Sequence, residues 1–163
     1  MSKKEKIEKT NAIRIVEQAK IKYQVHTYDP ELAISCKEVA DILSQDIFSV
    51  FKTLVTVSKS KEHYVFVLPG EYELDLKKAA KVSNEKYIEM IPQKDLLPLT
   101  GYIHGGCSPL GMKKQFKTFI DSSALTFDNI FVSGGKRGLQ IKINPQELAN
   151  LINAEFCDIK LEE

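Results

Sequence analysis

The stretch GYIHGGCSPLGMKK, residues 101–114, has the composition of a loop that can bind an anion. Three of the eight glycines in the chain and one of its six prolines fall within residues 105–111. Such residues can fix a loop with its N–H groups turned to one side, where they bind an anion or stabilise a developing oxyanion. The same residues also form ordinary tight turns between strands, so the composition alone leaves both interpretations open.

A second candidate is the lysine inside the apolar run SVFKTLVTV, residues 49–57. Alternate residues of a strand share a face, so Lys52 projects from the same face as Val50 and Leu54. Lys52 is then either an edge residue whose ammonium group reaches water or a cation held in a pocket for an anionic group.

The other chemically suggestive patterns are weaker. The segment SGGKRG, residues 133–138, lacks the spacing and the following helix of a nucleotide-binding phosphate loop. His104 and Cys107 could form a nucleophile pair, but a separation of three predicts side chains on opposite faces, and no third residue is indicated to orient the imidazole. The three cysteines and three histidines show no metal-ligand spacing, so we expect no metal ion and no cofactor.

Charge is unevenly distributed along the chain of 163 residues, whose net charge is +1. Residues 101–142 contain six basic and two acidic residues, which is compatible with a local surface for phosphates or RNA and equally with a solvated face. The balanced total excludes a bulk polycation for nucleic acid. We see no apolar run suited to a signal peptide or a membrane span, and we predict a cytoplasmic protein that does not contact membranes.

Hydrophobic spacing and capping residues predict the secondary structure. A first helix is predicted from about Ile7 to Lys20, and Ser35 with Glu38 has the form of a capping box that opens a second helix. The runs at 49–57 and 63–69 predict a hairpin. Further strands are predicted at 23–28, 87–91, 102–106, 116–121, 129–135 and 139–143, and further helices after the N-cap residues Asp75 and Asn144.

About seven strands and four helices, neither strictly alternating nor segregated, predict an α+β fold with a mixed, partly curled sheet and flanking helices. The length fits a single domain, residues 1–163, with its own hydrophobic core. No internal repeat or low-complexity tract divides the sequence.

Five segments, YQVHTY, VFKTLV, ELDLKKAAK, GYIHGGCSPLGMKK and VSGGKRGLQI, occur in a characteristic order and spacing. On these segments, within about Ala12 to Ile159, the chain resembles the YbaK family of free-standing aminoacyl-tRNA deacylases, which are related to the editing domain of bacterial prolyl-tRNA synthetase. The resemblance implies that fold and a trans-editing enzyme that hydrolyses the ester between cysteine and the 3′ end of tRNA(Pro). It also implies association with prolyl-tRNA synthetase and attack by the thiol of the substrate itself.

The resemblance further implies roles for particular residues. Lys52 stands at the essential lysine of the family, and residues 105–109 match its G-x-x-x-P loop, so Lys52, Gly105 and Gly106 would be the catalytic residues. The substrate pocket would add Tyr28, Thr53, Ser108, Pro109, Ser133, Gly134 and Gln140, and the tRNA would contact Lys113, Lys114, Lys136 and Arg137.

Two departures from the family pattern bear on selectivity. Gln140 replaces an aspartate, and the segment between Tyr28 and Val39 is slightly shorter. Deacylation of Ala-tRNA(Pro) or of another mischarged tRNA is therefore an alternative. Two readings of other classes are also open, namely a non-catalytic module that binds RNA or a protein partner, and a hydrolase that depends on Cys107.

Overall fold

The computed structural model describes residues 9–162, which form an α+β fold of five α-helices and eight strands. The helices are α1 (Asn11–Gln18), α2 (Cys36–Leu43), α3 (Leu76–Ser83), α4 (Leu96–Thr100) and α5 (Pro145–Ile152). The strands are β1 (Tyr23–Thr27), β2 (Phe51–Ser58), β3 (His63–Pro69), β4 (Ile88–Met90), β5 (Lys117–Asp121), β6 (Ile130–Ser133), β7 (Leu139–Ile143) and β8 (Glu155–Cys157). None of the helices in this part of the chain has the length and apolar character needed to cross a bilayer.

The strands form two sheets that meet along one seam. One sheet has three antiparallel strands in the order β1-β7-β6, and the other has five strands in the order β4-β2-β3-β5-β8. In the larger sheet β5 pairs in parallel with both β3 and β8, and the other pairs are antiparallel. Val50, which precedes β2, forms a parallel bridge with Phe131 of β6 and joins the two sheets. The predicted mixed and partly curled arrangement is therefore confirmed.

The main hydrophobic core lies between the two sheets. Leu139, Ile141 and Ile143 of β7 are fully buried on this inner face and pack with Val65 and Val67 of β3. A second cluster, under α3, covers the other face of the larger sheet, and a third lies under α2 beside the seam. Because β7 presents alternate residues to the core, its even-numbered residues face the opposite side of the small sheet.

The helix starts predicted at Ser35, Asp75 and Asn144 are confirmed, whereas the first helix begins at Asn11, after the N-cap Thr10, and so later than predicted. Ser35 accepts from the Glu38 N–H while Glu38 accepts from the Ser35 N–H, which satisfies two amides at the start of α2. Asp75 and Asn144 each accept from two backbone N–H groups at the starts of α3 and α5. Of the first predicted helix, Asn11–Gln18 is helical, and Ile7 lies outside the described residues.

The strand predicted at residues 102–106 is wrong. Residues 101–116 form a loop in which Gly101, Gly105 and Gly111 all have positive φ, a conformation that interrupts an extended strand. The loop is held from inside by Tyr102, whose buried hydroxyl donates to the carbonyl oxygen of Leu110 at 2.6 Å. The sequence analysis also missed α4 and β8, because one is a single turn containing a proline and the other has only three residues.

Replacing Asp75 with alanine should lower the free energy of unfolding by about 1 kcal/mol, because two N–H groups of α3 lose their acceptor. Asp95 precedes α4 and makes no side-chain capping bond, so Asp95→Ala is a control for the loss of a carboxylate near a helix start. Urea unfolding of both variants and the wild type measures the difference. Equal destabilisation by the two substitutions would contradict the capping interpretation.

Candidate active site

A cleft of about 290 Å³ lies beside the seam between the two sheets. It brings together residues from β2, β6, β7 and the loops after β1 and α4, so it exists only when both sheets are assembled. Six of the predicted catalytic and substrate-binding residues line it: Tyr28, Lys52, Thr53, Gly105, Ser133 and Gln140.

A larger, open groove of about 580 Å³ lies beside the start of α5 and contains none of the predicted site residues. Two lysines, Lys22 and Lys142, and two acidic residues, Asp128 and Glu147, line it, so it offers no net charge to a ligand. The smaller cleft is the candidate site because chemically distinctive groups converge there.

Lys52 is the cation of the cleft. It lies on β2 opposite Leu68 of β3, in a part of the strand that β4 does not reach, because β4 pairs only with residues 56–58. Its side chain lines the cleft, which favours the interpretation of Lys52 as a cation held in a pocket. Its half-buried side chain donates from Nζ to the carbonyl oxygen of Gly70 at 3.3 Å, just beyond the end of β3. No acidic side chain of residues 9–162 forms an ion pair with it. The ammonium group is therefore available to an anionic or developing negative charge of a ligand.

The segment at residues 105–109, called here the glycine loop, forms the wall of the cleft that faces the β6–β7 turn. Gly105 has φ +84°, and an added Cβ would lie 2.9 Å from Nε of Arg137. A Cβ on Gly106 would lie 2.9 Å from the backbone Cα of Lys136, so the two backbones touch at this position. The Gly106 N–H donates to the carbonyl oxygen of Ile103 at 3.0 Å. Gly106 thus serves close packing, and the amides of Gly105 and Cys107 are the better candidates for an oxyanion.

Two polar atoms in the cleft are buried without a hydrogen-bond partner, namely Oγ1 of Thr53 and Oε1 of Gln140. A buried polar group without a partner costs about 1–3 kcal/mol, and native structures contain few of them. Gln140 is only 7% exposed, so water does not offset this cost freely. Both atoms are therefore placed to bond with a ligand in the cleft.

The other predicted pocket residues shape the site without lining it. Ser108 is fully buried, and its Oγ accepts from the Leu110 N–H at 3.2 Å. Pro109 is buried in the same loop. A Cβ on Gly134 would lie 2.7 Å from Cγ of Leu139, so this position also requires glycine for close packing. These residues maintain the two turns that form the cleft walls.

The sequence analysis was wrong to place His104 and Cys107 on opposite faces, since both line the cleft. Burial raises the pKa of the Cys107 thiol to about 12, so the group is protonated at neutral pH and is a poor nucleophile. The geometry brings a thiol and an imidazole to one cleft but does not activate the thiol.

Cys36 is a cleft residue that the sequence analysis missed. It opens α2 and fills the space beside Gly70, where an added Cβ would collide with its Cβ and Sγ. Burial raises the pKa of the Cys36 thiol, and the nearby Lys52 ammonium opposes this shift without reversing it. In the sequence, Gly70 after Pro69 could indicate that another segment packs closely against the backbone there. The glycine alone does not identify that segment as the start of α2.

The four basic residues predicted to bind tRNA fall in two places. Arg137 lies at the rim of the cleft, where its Nε donates to the carbonyl oxygen of His104 at 3.0 Å, and Lys136 precedes it. Lys113 lies against Gly101, and Lys114 lies 5.9 Å from the ring centroid of Phe116, in a separate surface groove. The predicted basic surface is therefore not one patch.

No set of three histidine, cysteine or acidic side chains within residues 9–162 is arranged to hold a metal ion. The residues that line the cleft offer a lysine ammonium group, backbone amides and polar side chains. Such a site can position an ester and stabilise charge on its carbonyl oxygen.

The family described as "Aminoacyl-tRNA editing domain" matches residues 30–151, which contain nearly all of the cleft residues. The chain belongs to this family. The resemblance inferred from the five sequence segments is thereby confirmed. Among the cleft residues predicted from the sequence, Tyr28 lies just before the matched range of the editing domain.

Individual relatives agree with this assignment. The editing domain is 46% identical, over the full length of both chains, to an Enterococcus faecalis protein provisionally named Cys-tRNA(Pro)/Cys-tRNA(Cys) deacylase EbsC. It is 25% identical over 66% of its length to proline–tRNA ligase of Nitrosomonas eutropha, of which it spans 18%. A crystal structure provisionally described as that of a trans-editing enzyme for prolyl-tRNA synthetase superposes with a TM-score of 0.81. The match covers 94% of this chain and 99% of the other at 23% sequence identity, and it shows a shared fold.

The thiol of Cys107 should react with iodoacetamide on the order of a thousandfold more slowly in the folded protein than in the unfolded chain at pH 8, because a pKa of about 12 leaves little thiolate. Mass spectrometry of peptides after timed alkylation measures the rate, and the protein in urea is the control. Rapid alkylation of native Cys107 would show an activated thiol and would restore the cysteine-dependent hydrolase.

Proposed function

We propose that this editing domain is a free-standing deacylase that hydrolyses mischarged Cys-tRNA(Pro). The observation that carries the proposal is the cleft itself, in which Lys52 meets two unpartnered polar atoms and no activated protein nucleophile. The full-length similarity to the provisionally named Cys-tRNA(Pro)/Cys-tRNA(Cys) deacylase supports the choice of cysteine.

Catalysis in this proposal depends on positioning and on charge stabilisation. The thiol of the bound cysteinyl group loses its proton and attacks the carbonyl carbon of its own ester. The bond from that carbon to the ribose oxygen then breaks, the ribose oxygen takes up a proton, and water opens the cyclic thioester. Lys52 and the amide of Gly105 stabilise the negative charge that develops on the carbonyl oxygen. This route does not use the buried Cys107 thiol.

Recognition of the amino acid is assigned to the two unpartnered atoms. Oε1 of Gln140 can only accept a hydrogen bond, whereas the hydroxyl of Thr53 can donate or accept. The α-ammonium group and the thiol of a cysteinyl ester supply donors for these positions. Tyr28 and Ser133 complete the wall around them. Binding of the ester would thus satisfy groups that the empty cleft leaves without partners.

The need for such an enzyme follows from the size of the amino acids. A pocket that accepts proline cannot strongly reject similarly small residues, because differences of this order are worth about 1–3 kcal/mol. A second, hydrolytic site removes the products of the error. Correctly charged Pro-tRNA(Pro) should therefore be a poor substrate.

The tRNA is proposed to enter by its single-stranded 3′ end. Lys136 and Arg137 lie nearest the cleft, and we assign Lys113 and Lys114 to phosphates further along the acceptor arm. These contacts are few, so binding should be weak and should weaken further with salt. We infer that association with prolyl-tRNA synthetase, in the cytoplasm, supplies part of the specificity for tRNA(Pro), which is consistent with the similarity to proline–tRNA ligases.

The second candidate substrate is Ala-tRNA(Pro), and the neutral side chain of Gln140 is the observation that favours it. A carboxylate at this position would select strongly for a cationic or polar group, whereas an amide selects less strongly. Alanine has no thiol, so its hydrolysis would require attack by water. Comparison of the two esters therefore tests the substrate and the route together.

Lys52→Ala should reduce the hydrolysis of Cys-tRNA(Pro) by a factor of about 100 to 1,000, because the cation that stabilises the carbonyl oxygen is lost. Lys59→Ala removes an exposed lysine from the same hairpin and should leave the rate unchanged. The measurement is the first-order loss of the cysteinyl, alanyl and prolyl esters of tRNA(Pro) at matched salt.

Undiminished hydrolysis by the Lys52→Ala protein would overturn the assigned mechanism. Hydrolysis of the alanyl ester at the rate of the cysteinyl ester would exclude attack by the substrate thiol. Cys107→Ser should retain most of the activity, and its inactivation would instead support the cysteine-dependent hydrolase. No hydrolysis of any ester by the wild type would leave a module that only binds RNA or a partner.

Gln140→Met should raise the KM for Cys-tRNA(Pro) about tenfold while leaving the stability of the protein unchanged or higher. The substitution removes a buried acceptor that has no partner in the empty cleft and keeps a similar volume. Gln146→Met, at an exposed position, is the matched control. Kinetics and urea unfolding of both variants test this assignment, and a loss of stability with an unchanged KM would contradict it.

A further inference from the structure

The turn between β6 and β7 touches both walls of the cleft. On one side the backbone of Lys136 lies against Gly106, where no Cβ can be accommodated. On the other side the Gly138 carbonyl oxygen accepts from the Tyr28 N–H at 3.0 Å. A Cβ on Gly138 would lie 2.7 Å from the backbone carbonyl oxygen of Tyr28. The turn therefore fixes the distance between the glycine loop and the segment that follows β1.

Arg137 is the side chain that fastens this turn to the glycine loop. Its Nε donates to the carbonyl oxygen of His104 at 3.0 Å, next to Gly105, and both of these loop residues line the cleft. This bond uses only one of the five N–H donors of the guanidinium group. The side chain is exposed, and its Nη groups form no ion pair with an acidic residue of the described chain.

We propose that Arg137 binds the 5′-phosphate of the terminal adenosine with its Nη groups while its Nε holds the glycine loop in position. The assignment rests on the proposed deacylase function, because it concerns another part of the same substrate. An ester on the terminal ribose that lies beside Lys52 places the phosphate of that nucleotide one ribose away, toward the rim of the cleft. A planar guanidinium group with free Nη atoms at the rim matches the geometry of a phosphate.

This arrangement couples recognition to catalysis. A phosphate that binds the Nη groups keeps Arg137 extended along the loop, and the same side chain then holds the His104 carbonyl and the neighbouring Gly105 amide in place. Lysine at this position could attract a phosphate, but its donors are all on one terminal nitrogen and it has no separate Nε donor for His104. The two contributions of Arg137 can therefore be separated by substitution.

The test uses ligands that differ by a single phosphate. Affinities for adenosine 5′-monophosphate and adenosine are measured by calorimetry, and kcat and KM are measured for the cysteinyl esters of the same two compounds. The variants are Arg137→Gln and Arg137→Lys, with Lys59→Gln as the control at an exposed position outside the site. Thermal unfolding verifies that each variant is folded.

The wild type and the control should bind the monophosphate at least about tenfold more tightly than adenosine, and Arg137→Gln should abolish this preference. Arg137→Lys should keep part of the preference. Both Arg137 variants should lower kcat several-fold even for cysteinyl adenosine, which has no phosphate, because both lose the bond to His104.

Equal binding of adenosine 5′-monophosphate and adenosine by the wild type would overturn the phosphate assignment. An unchanged preference of Arg137→Gln for the monophosphate would also overturn it. A normal kcat of Arg137→Lys for cysteinyl adenosine would overturn the positioning role. Normal nucleotide binding and turnover by Arg137→Gln, with impaired binding of prolyl-tRNA synthetase, would instead assign Arg137 to a protein interface. A phosphate preference that depends on Arg137 in a protein that hydrolyses neither ester would support this site and reject the deacylase function.

Discussion

The structure depends on the contact between two sheets at the start of β2. The bridge between Val50 and Phe131 joins the sheets at this point, and Lys52 follows two residues later on β2, where it pairs with Leu68 of β3 and β4 does not reach it. Partial burial of a lysine is normally unfavourable unless its ammonium group reaches water or a polar partner. Lys52 opens onto the cleft at the seam, and its ammonium group donates to the Gly70 carbonyl oxygen, so the cation is tolerated there and held by the strand.

The cleft combines rigid walls with unsatisfied groups. Its walls approach so closely that glycine is required at Gly106, against the backbone of Lys136, and at Gly70, against the side chain of Cys36. Its interior holds polar atoms of Thr53 and Gln140 that have no partner within the protein. Side chains on strands of packed sheets cannot turn aside to satisfy themselves, so the cost of these atoms is retained until a ligand arrives. The walls of the cleft are thus rigid, and the polar atoms inside it lack hydrogen-bond partners until a ligand binds.

The parts of the fold that local sequence determines could be predicted. Capping residues such as Ser35 and Asp75, and the β-branched runs of the first hairpin, act over a few residues and indicate helix starts and strands directly. The loop at residues 102–106 was misread as a strand because alternation over so few residues does not exclude a turn. Contacts between distant segments were also beyond prediction: no local pattern shows that Cys36 packs on Gly70, or that the Gln140 oxygen lacks a partner.

The pairing of β1 with β7 has a consequence for the synthesis of the protein. Tyr23 pairs with Ile143, so β1, near the start of the described chain, has its pairing partner near the end of that chain. Such long-range pairing slows folding, and it cannot begin before β7 has left the ribosome. An incomplete nascent chain carries Lys52 and the glycine loop but lacks the wall that Tyr28 and Gln140 form. The cleft is therefore complete only after the last strand of the small sheet has emerged and paired.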